Sequence, residues 1–169
     1  MRTRRPCSFA IRLLLLLLWA AVIFLFSAQD AQTSGDLSLG VAELQLRWLA
    51  LFGITAESIN ALPFDPIVVI RKAAHFCSFF VLGLLSLWTV SAKDPPPLQR
   101  LTPRRRILIA FLFCVAYAVS DEIHQLFVSG RSGQASDVLL DSVGAACGIA
   151  VFLLAKKRSN RKSRKTRFA

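Results

Sequence analysis

Asp121, Glu122, His124 and Gln125 close an almost wholly apolar stretch that begins at Ile107, and Gly130 and Arg131 follow soon after. Two carboxylates, an imidazole, an amide and a guanidinium within so short a segment are the components of acid–base chemistry or of an anion receptor. Matching groups open two other apolar stretches. Arg71, Lys72 and His75 lie near the start of one, with Arg71 and His75 a single helical turn apart. Asp137 and Asp141 stand at the start of another at the same spacing of four. Arg71, Lys72 and Arg131 carry three positive charges, against four negative ones on Asp121, Glu122, Asp137 and Asp141.

Several uses of such a set are open from the residues alone. A carboxylate of Asp121, Glu122 or Asp137 could polarise His75 or His124 for acid–base catalysis while the three cations hold a phosphate. The same cations could grip an anionic headgroup without any reaction, with the acids fixing them in place. Imidazole and carboxylate also suit zinc or manganese. No HExxH spacing or similar template is present, however, and no metal or other cofactor is expected. A proton relay or small transporter is a fourth reading, disfavoured by the lack of a repeat or a pair of broken helices. The plainest alternative is that the charges only hold helices together. Removing one partner of a buried pair costs about 3 to 5 kcal/mol, so spacing alone does not imply chemistry.

The elements that must position these residues follow from composition. At 169 residues, 54% apolar and a mean hydropathy of +0.53, the chain is too oily for a soluble globule of its size. Four apolar stretches, at 7–28, 67–92, 107–127 and 138–155, approach the roughly 20 helical residues that span a hydrocarbon core. They lack the alternation of barrel strands. The expected fold is all-α, a polytopic membrane protein with four transmembrane helices, forming one domain over 1–155 with a basic tail at 156–169. A charged residue inside hydrocarbon costs about 2.5 to 3.5 kcal/mol even on mild scales, so the polar residues need partners or a task.

Charge placement orients the spans. Arg2, Arg4 and Arg5 precede the first. Lys93, Arg100, Arg104, Arg105 and Arg106 lie between the second and third, and eight Lys or Arg residues follow Ala155. The segment between the first two spans carries Asp30, Asp36, Glu43, Glu57 and Asp65 against Arg47 alone. Positive loops stay inside, so both termini are expected in the cytoplasm and the polar ends of spans two, three and four at the outer face. The net charge of +11 thus marks anionic membrane lipids as partners rather than nucleic acid. Oligomeric state is left open.

The arginines and leucines of the first span imitate a signal peptide, but no small-x-small cleavage site follows, and an uncleaved anchor is expected. Val41 to Phe52 has apolar residues at three- and four-residue steps, which predicts a helix on the outer membrane surface, broken by the prolines of Ala61 to Pro66. Asp94-Pro-Pro-Pro97 predicts a stiff connector without helix. Cys7, Cys77, Cys114 and Cys147 show no CxxC spacing and are expected to act as small apolar side chains. Gly144 and Gly148 form a GxxxG contact face.

Taken in order, Arg71-Lys-Ala-Ala-His-Phe76, Leu82-Gly83, Asp121-Glu-Ile-His-Gln-Leu-Phe-Val-Ser-Gly-Arg131 and Ser136-Asp-Val-Leu-Leu-Asp-Ser-Val-Gly144 resemble the VanZ-like membrane family. The resemblance covers roughly 67–154, and the first span fits the family layout. It implies a multi-pass protein of the bacterial cytoplasmic (inner) membrane that alters cell-envelope chemistry and is linked to glycopeptide (teicoplanin) resistance. Together with the cations Arg71, Lys72 and Arg131, that setting makes an anionic lipid or a cell-wall precursor the expected ligand. By motif, the residues implied are Arg71, Lys72, His75, Asp121, Glu122, His124, Gln125, Gly130, Arg131, Asp137 and Asp141. Residue chemistry selects the same set apart from Gly130, where a glycine permits a turn that aims Arg131 back at the bundle. Ser78 and Phe79 stand where family members often have Glu and Tyr, which removes a carboxylate and a phenol from span two. Ser129 replaces a frequent Pro.

Overall fold

The computed structural model describes residues 7–29, 66–92, 96–131 and 133–165, and all regular structure among them is helical. The helices are α1 (Cys7–Ser27), α2 (Pro66–Val90), the single turn α3 (Pro96–Gln99), α4 (Pro103–Gln125) and α5 (Ala135–Lys165). Of these, α1, α2, α4 and α5 are long and apolar enough to cross a membrane. The 21 residues of α1 give a rod of about 32 Å at 1.5 Å per residue, close to the hydrocarbon thickness. The surface helix expected between Val41 and Phe52 lies outside the described residues.

Local chemistry sets the helix ends. Thr102 caps α4 by accepting the Arg105 amide at 3.4 Å, and Pro103 occupies the first turn, where its missing N–H is harmless. Arg104, Arg105 and Arg106 therefore lie inside the helix, ahead of the apolar stretch that starts at Ile107. The connector expected to lack helix contains α3. Proline is excluded from helix interiors but tolerated in a first turn, and α3 has little more than a first turn. At the other extreme, α5 continues through the basic segment to Lys165. Lys and Arg are good helix formers, and cations at a C-terminus complement the helix dipole.

The most intimate contact is between α2 and α5, and glycines make it possible. A methyl group at Gly144 would lie 2.6 Å from the Phe76 carbonyl oxygen, and one at Gly148 would collide with that of Phe80. In return Gly83 of α2 receives the Ala145 backbone. Without a hydrophobic force to drive association in lipid, such backbone contact supplies dispersion attraction in its place. Phe79, Leu82, Cys114, Ala118 and Ala145 fill the core, and Leu16, Ala20 and Ile23 of α1 close over it. The reverse faces, including Leu14, Leu17 and Leu18 of α1, Leu108 and Leu112 of α4 and Leu139 of α5, are exposed as lipid contact requires. Cys77, Cys114 and Cys147 are free thiols.

The two ends of the bundle differ. At one, the Arg12 guanidinium donates to the Trp88 carbonyl at 2.8 Å and lies 4.7 Å from the Trp88 ring centroid, while Arg106 donates to the Leu98 carbonyl at 2.9 Å. The other end gathers the C-termini of α1 and α4 with the N-termini of α2 and α5, and the polar residues with them.

Candidate functional site at one end of the bundle

Antiparallel connection of α4 and α5 through a short turn places Asp121 to Gln125 beside Asp137 and Asp141. The turn is built on Gly130, which has φ of 72° and is the one described residue in the left-handed region. It sends Arg131 inward, where its guanidinium donates to the Ser27 carbonyl at 3.1 Å. Burial, with the Arg71 guanidinium nearby, pulls Arg131 below the ordinary guanidinium range.

Arg71, His75, Gln125, Gly130, Arg131, Gln134 and Asp137 line a cavity of about 60 Å³. A site this size holds a few waters or the oxygens of one small anionic group. Two guanidiniums border it. Arg71 has no ion-pair partner among the described residues, whereas Lys72 is paired with Asp137.

Behind His75 the polar groups go deeper. His75 Nδ1 faces Asp141 Oδ2 at 3.7 Å, and Asp141 is 0% exposed. Asp121, also buried, accepts from Ser27 Oγ at 2.8 Å and from Gln125 Nε2 at 3.2 Å through the same oxygen, Oδ2. Glu122 Oε2 accepts the Gln134 amide at 2.7 Å and so secures the turn that carries Arg131. Several oxygens here have no hydrogen-bond partner: Asp121 Oδ1, Glu122 Oε1 and both of Asp141.

All eleven residues singled out from the sequence therefore occur at one end of the bundle, but they are not equivalent. Six line the cavity. Lys72 is attached to its rim through Asp137, and Asp121 and Asp141 lie beneath it, near His75. Glu122 reaches toward the turn. His124 stands apart, stacked on Phe24 of α1 with ring centroids 4.5 Å apart, and of the two histidines only His75 borders the cavity. Two participants were not expected. Ser27 holds Asp121 and receives Arg131 from the end of α1, and nothing in its apolar surroundings signals this. Gln134 lines the cavity and begins α5 by accepting the Asp137 amide through its carbonyl at 2.9 Å, a position that the helix start at Ala135 could have suggested.

Four membrane-length helices, three of which contribute side chains to a small polar cavity at one end, define a multi-pass membrane protein. The chain belongs to the VanZ/LLP1 family, whose model matches residues 12–156 and so includes most of α1. No curated protein and no solved structure matches the chain.

Proposed function

We propose that this protein binds the anionic headgroup of a lipid or lipid-linked cell-envelope precursor at the outer face of the bacterial cytoplasmic membrane. The observation that carries this reading is the placement of two guanidiniums, Arg71 and Arg131, on one cavity with Gln125 and Gln134. Guanidinium forks match phosphate oxygens, and amides add donors of fixed direction. The loop charges, positive at the opposite end of the bundle, support the outward placement. In family terms such binding fits a role in envelope chemistry that lowers susceptibility to teicoplanin. The test is binding of a polyprenyl phosphate to purified protein in nanodiscs. Arg71→Ala and Arg131→Ala should each weaken binding roughly tenfold to a hundredfold, matching the loss of a charge-assisted contact of about 1.5 to 3 kcal/mol. Equal affinity in both variants would reject the reading.

Catalysis is the second reading, favoured by one observation: His75 borders the cavity with the buried Asp141 carboxylate behind it. At 3.7 Å the pair would need to close to hydrogen-bond distance for Asp141 to orient the imidazole as a general base, and the reaction would be hydrolysis or transfer at a lipid phosphate. Turnover of such a substrate, lost in His75→Gln while binding persists, would establish it. Tight binding with zero turnover leaves the headgroup receptor alone.

A further inference from the structure

Beneath the cavity, His75 of α2, Asp121 of α4 and Asp141 of α5 bring one donor atom each to within 4.8 Å of one another. We infer that these three side chains form a binding site for a single divalent transition-metal ion of the zinc or manganese class. Imidazole with two carboxylates is a donor set that such ions accept. The chain shows no local metal pattern because each ligand comes from a different helix.

The orphaned oxygens point to the ligand. Asp141 is 0% exposed, and neither of its carboxylate oxygens has a hydrogen-bond partner. Its ion-pair partner, His75 Nδ1, lies 3.7 Å from Oδ2, too far for a hydrogen bond. Two ligands on one tetrahedral ion, with bonds near 2.1 Å, stand roughly 3.4 Å apart, so a small inward shift would seat both. Asp121 is already oriented for the task. Ser27 and Gln125 both donate to Oδ2, which leaves Oδ1 without a partner. Metal ligands are characteristically held in this way by hydrogen bonds from behind.

Electrostatics reinforce the geometry. When ionised, the buried Asp121 and Asp141 carboxylates beside one imidazole place two negative charges in a low-dielectric region, where charge is costly, and of the two only Asp121 interacts with the Arg131 guanidinium among the described residues. The nearby ammonium of Lys72 is engaged by Asp137. A doubly charged cation would neutralise the pair. With three protein ligands it would keep a coordination position for water, and His75 connects the site to the cavity from which water could come.

The ion site and the headgroup reading share His75 but not their tests, because metal uptake is measured without lipid. Full-length protein is purified in detergent, stripped with a chelator, equilibrated with Zn²⁺ or Mn²⁺ and passed over a desalting column for elemental analysis. The expected result is one equivalent of metal per chain. Asp141→Asn and His75→Gln should each weaken uptake by at least about tenfold, with helix content retained by circular dichroism. Replacing all four cysteines by alanine should leave uptake unchanged. If either variant fails to fold, the Mn²⁺-loaded wild type still decides: its pulsed electron paramagnetic resonance spectrum must show coupling to an imidazole nitrogen. Failure of the wild type to retain metal, absence of that coupling, dependence on cysteine, or undiminished uptake by folded variants would each overturn the proposal.

Discussion

Ser27 Oγ donates to Asp121 Oδ2 across 2.8 Å, joining residues 94 positions apart and fixing the end of α1 to the end of α4. The bond is buried, so loss of the hydroxyl removes one of the two donors to Asp121. Ser27→Ala should lower stability by about 1 kcal/mol, within the range for hydrogen bonds between membrane helices. Ser27→Thr, which keeps the hydroxyl, should cost less. Thermal or detergent-induced unfolding of the purified protein measures both.

Close approach of α2 and α5 predicts intolerance of side chains at the glycines between them. A Cβ at Gly148 would meet the Phe80 backbone carbonyl, which cannot swing away as a side chain could. Gly148→Ala should therefore destabilise by about 1 to 3 kcal/mol, the range for overpacking. Ala146→Leu, at an exposed position of the same helix, should change stability by less than about 0.5 kcal/mol.

Lys72 and Asp137 form an ion pair whose side chains are 39% and 20% exposed. Solvent screening at that exposure dominates the Coulomb attraction. A double-mutant cycle with Lys72→Ala and Asp137→Ala should return a coupling energy below about 1 kcal/mol. A much larger value would mean that the bilayer removes water from this rim.

Gly130 has φ of 72°, where a side chain clashes with its own backbone. Gly130→Ala should cost about 1 to 2 kcal/mol in stability. Because this turn aims Arg131 at the Ser27 carbonyl, the substitution should also weaken polyprenyl phosphate binding. If affinity is unaffected while stability falls, Arg131 finds its position without the turn.

The orientation proposed from the loop charges puts the cavity outside and the basic segment inside. In a cysteine-free background, Ser136→Cys near the cavity should react with a membrane-impermeant maleimide added to intact cells. Ser159→Cys, near the end of α5, should react only after permeabilisation. Both positions are exposed, so burial would not explain a difference, and the reverse pattern would put the cavity on the cytoplasmic side.

Much of this architecture is legible in single residues and runs. Leu13 to Leu18 cannot sit in water, and Thr102-Pro103 announces a helix start. Other features depend on partners that periodicity does not report. His124 and His75 look alike in sequence, yet His124 is occupied by the Phe24 ring, and only the path of α1 decides that. Ser27 reads as an ordinary small residue until Asp121 and Arg131 arrive from about a hundred positions away. Asp141 reads as half of an i, i+4 acidic pair with Asp137. In the folded bundle the two diverge, one held by Lys72 and the other buried beside His75.

Hydropathy by itself determined the helical class and the four spans, and their alternating direction brings the charges of spans two, three and four to one end of the bundle. These follow from local free energies of transfer between water and hydrocarbon, which a linear chain displays directly. Tertiary structure alone decided which oxygens were left without partners and which cations reached the cavity. Those outcomes depend on the rotation and separation of whole helices, set by contacts such as Gly148 on Phe80 that add many small dispersion terms across the bundle. Residue type specifies what each group can bond to, and only the packed helices specify what lies within reach.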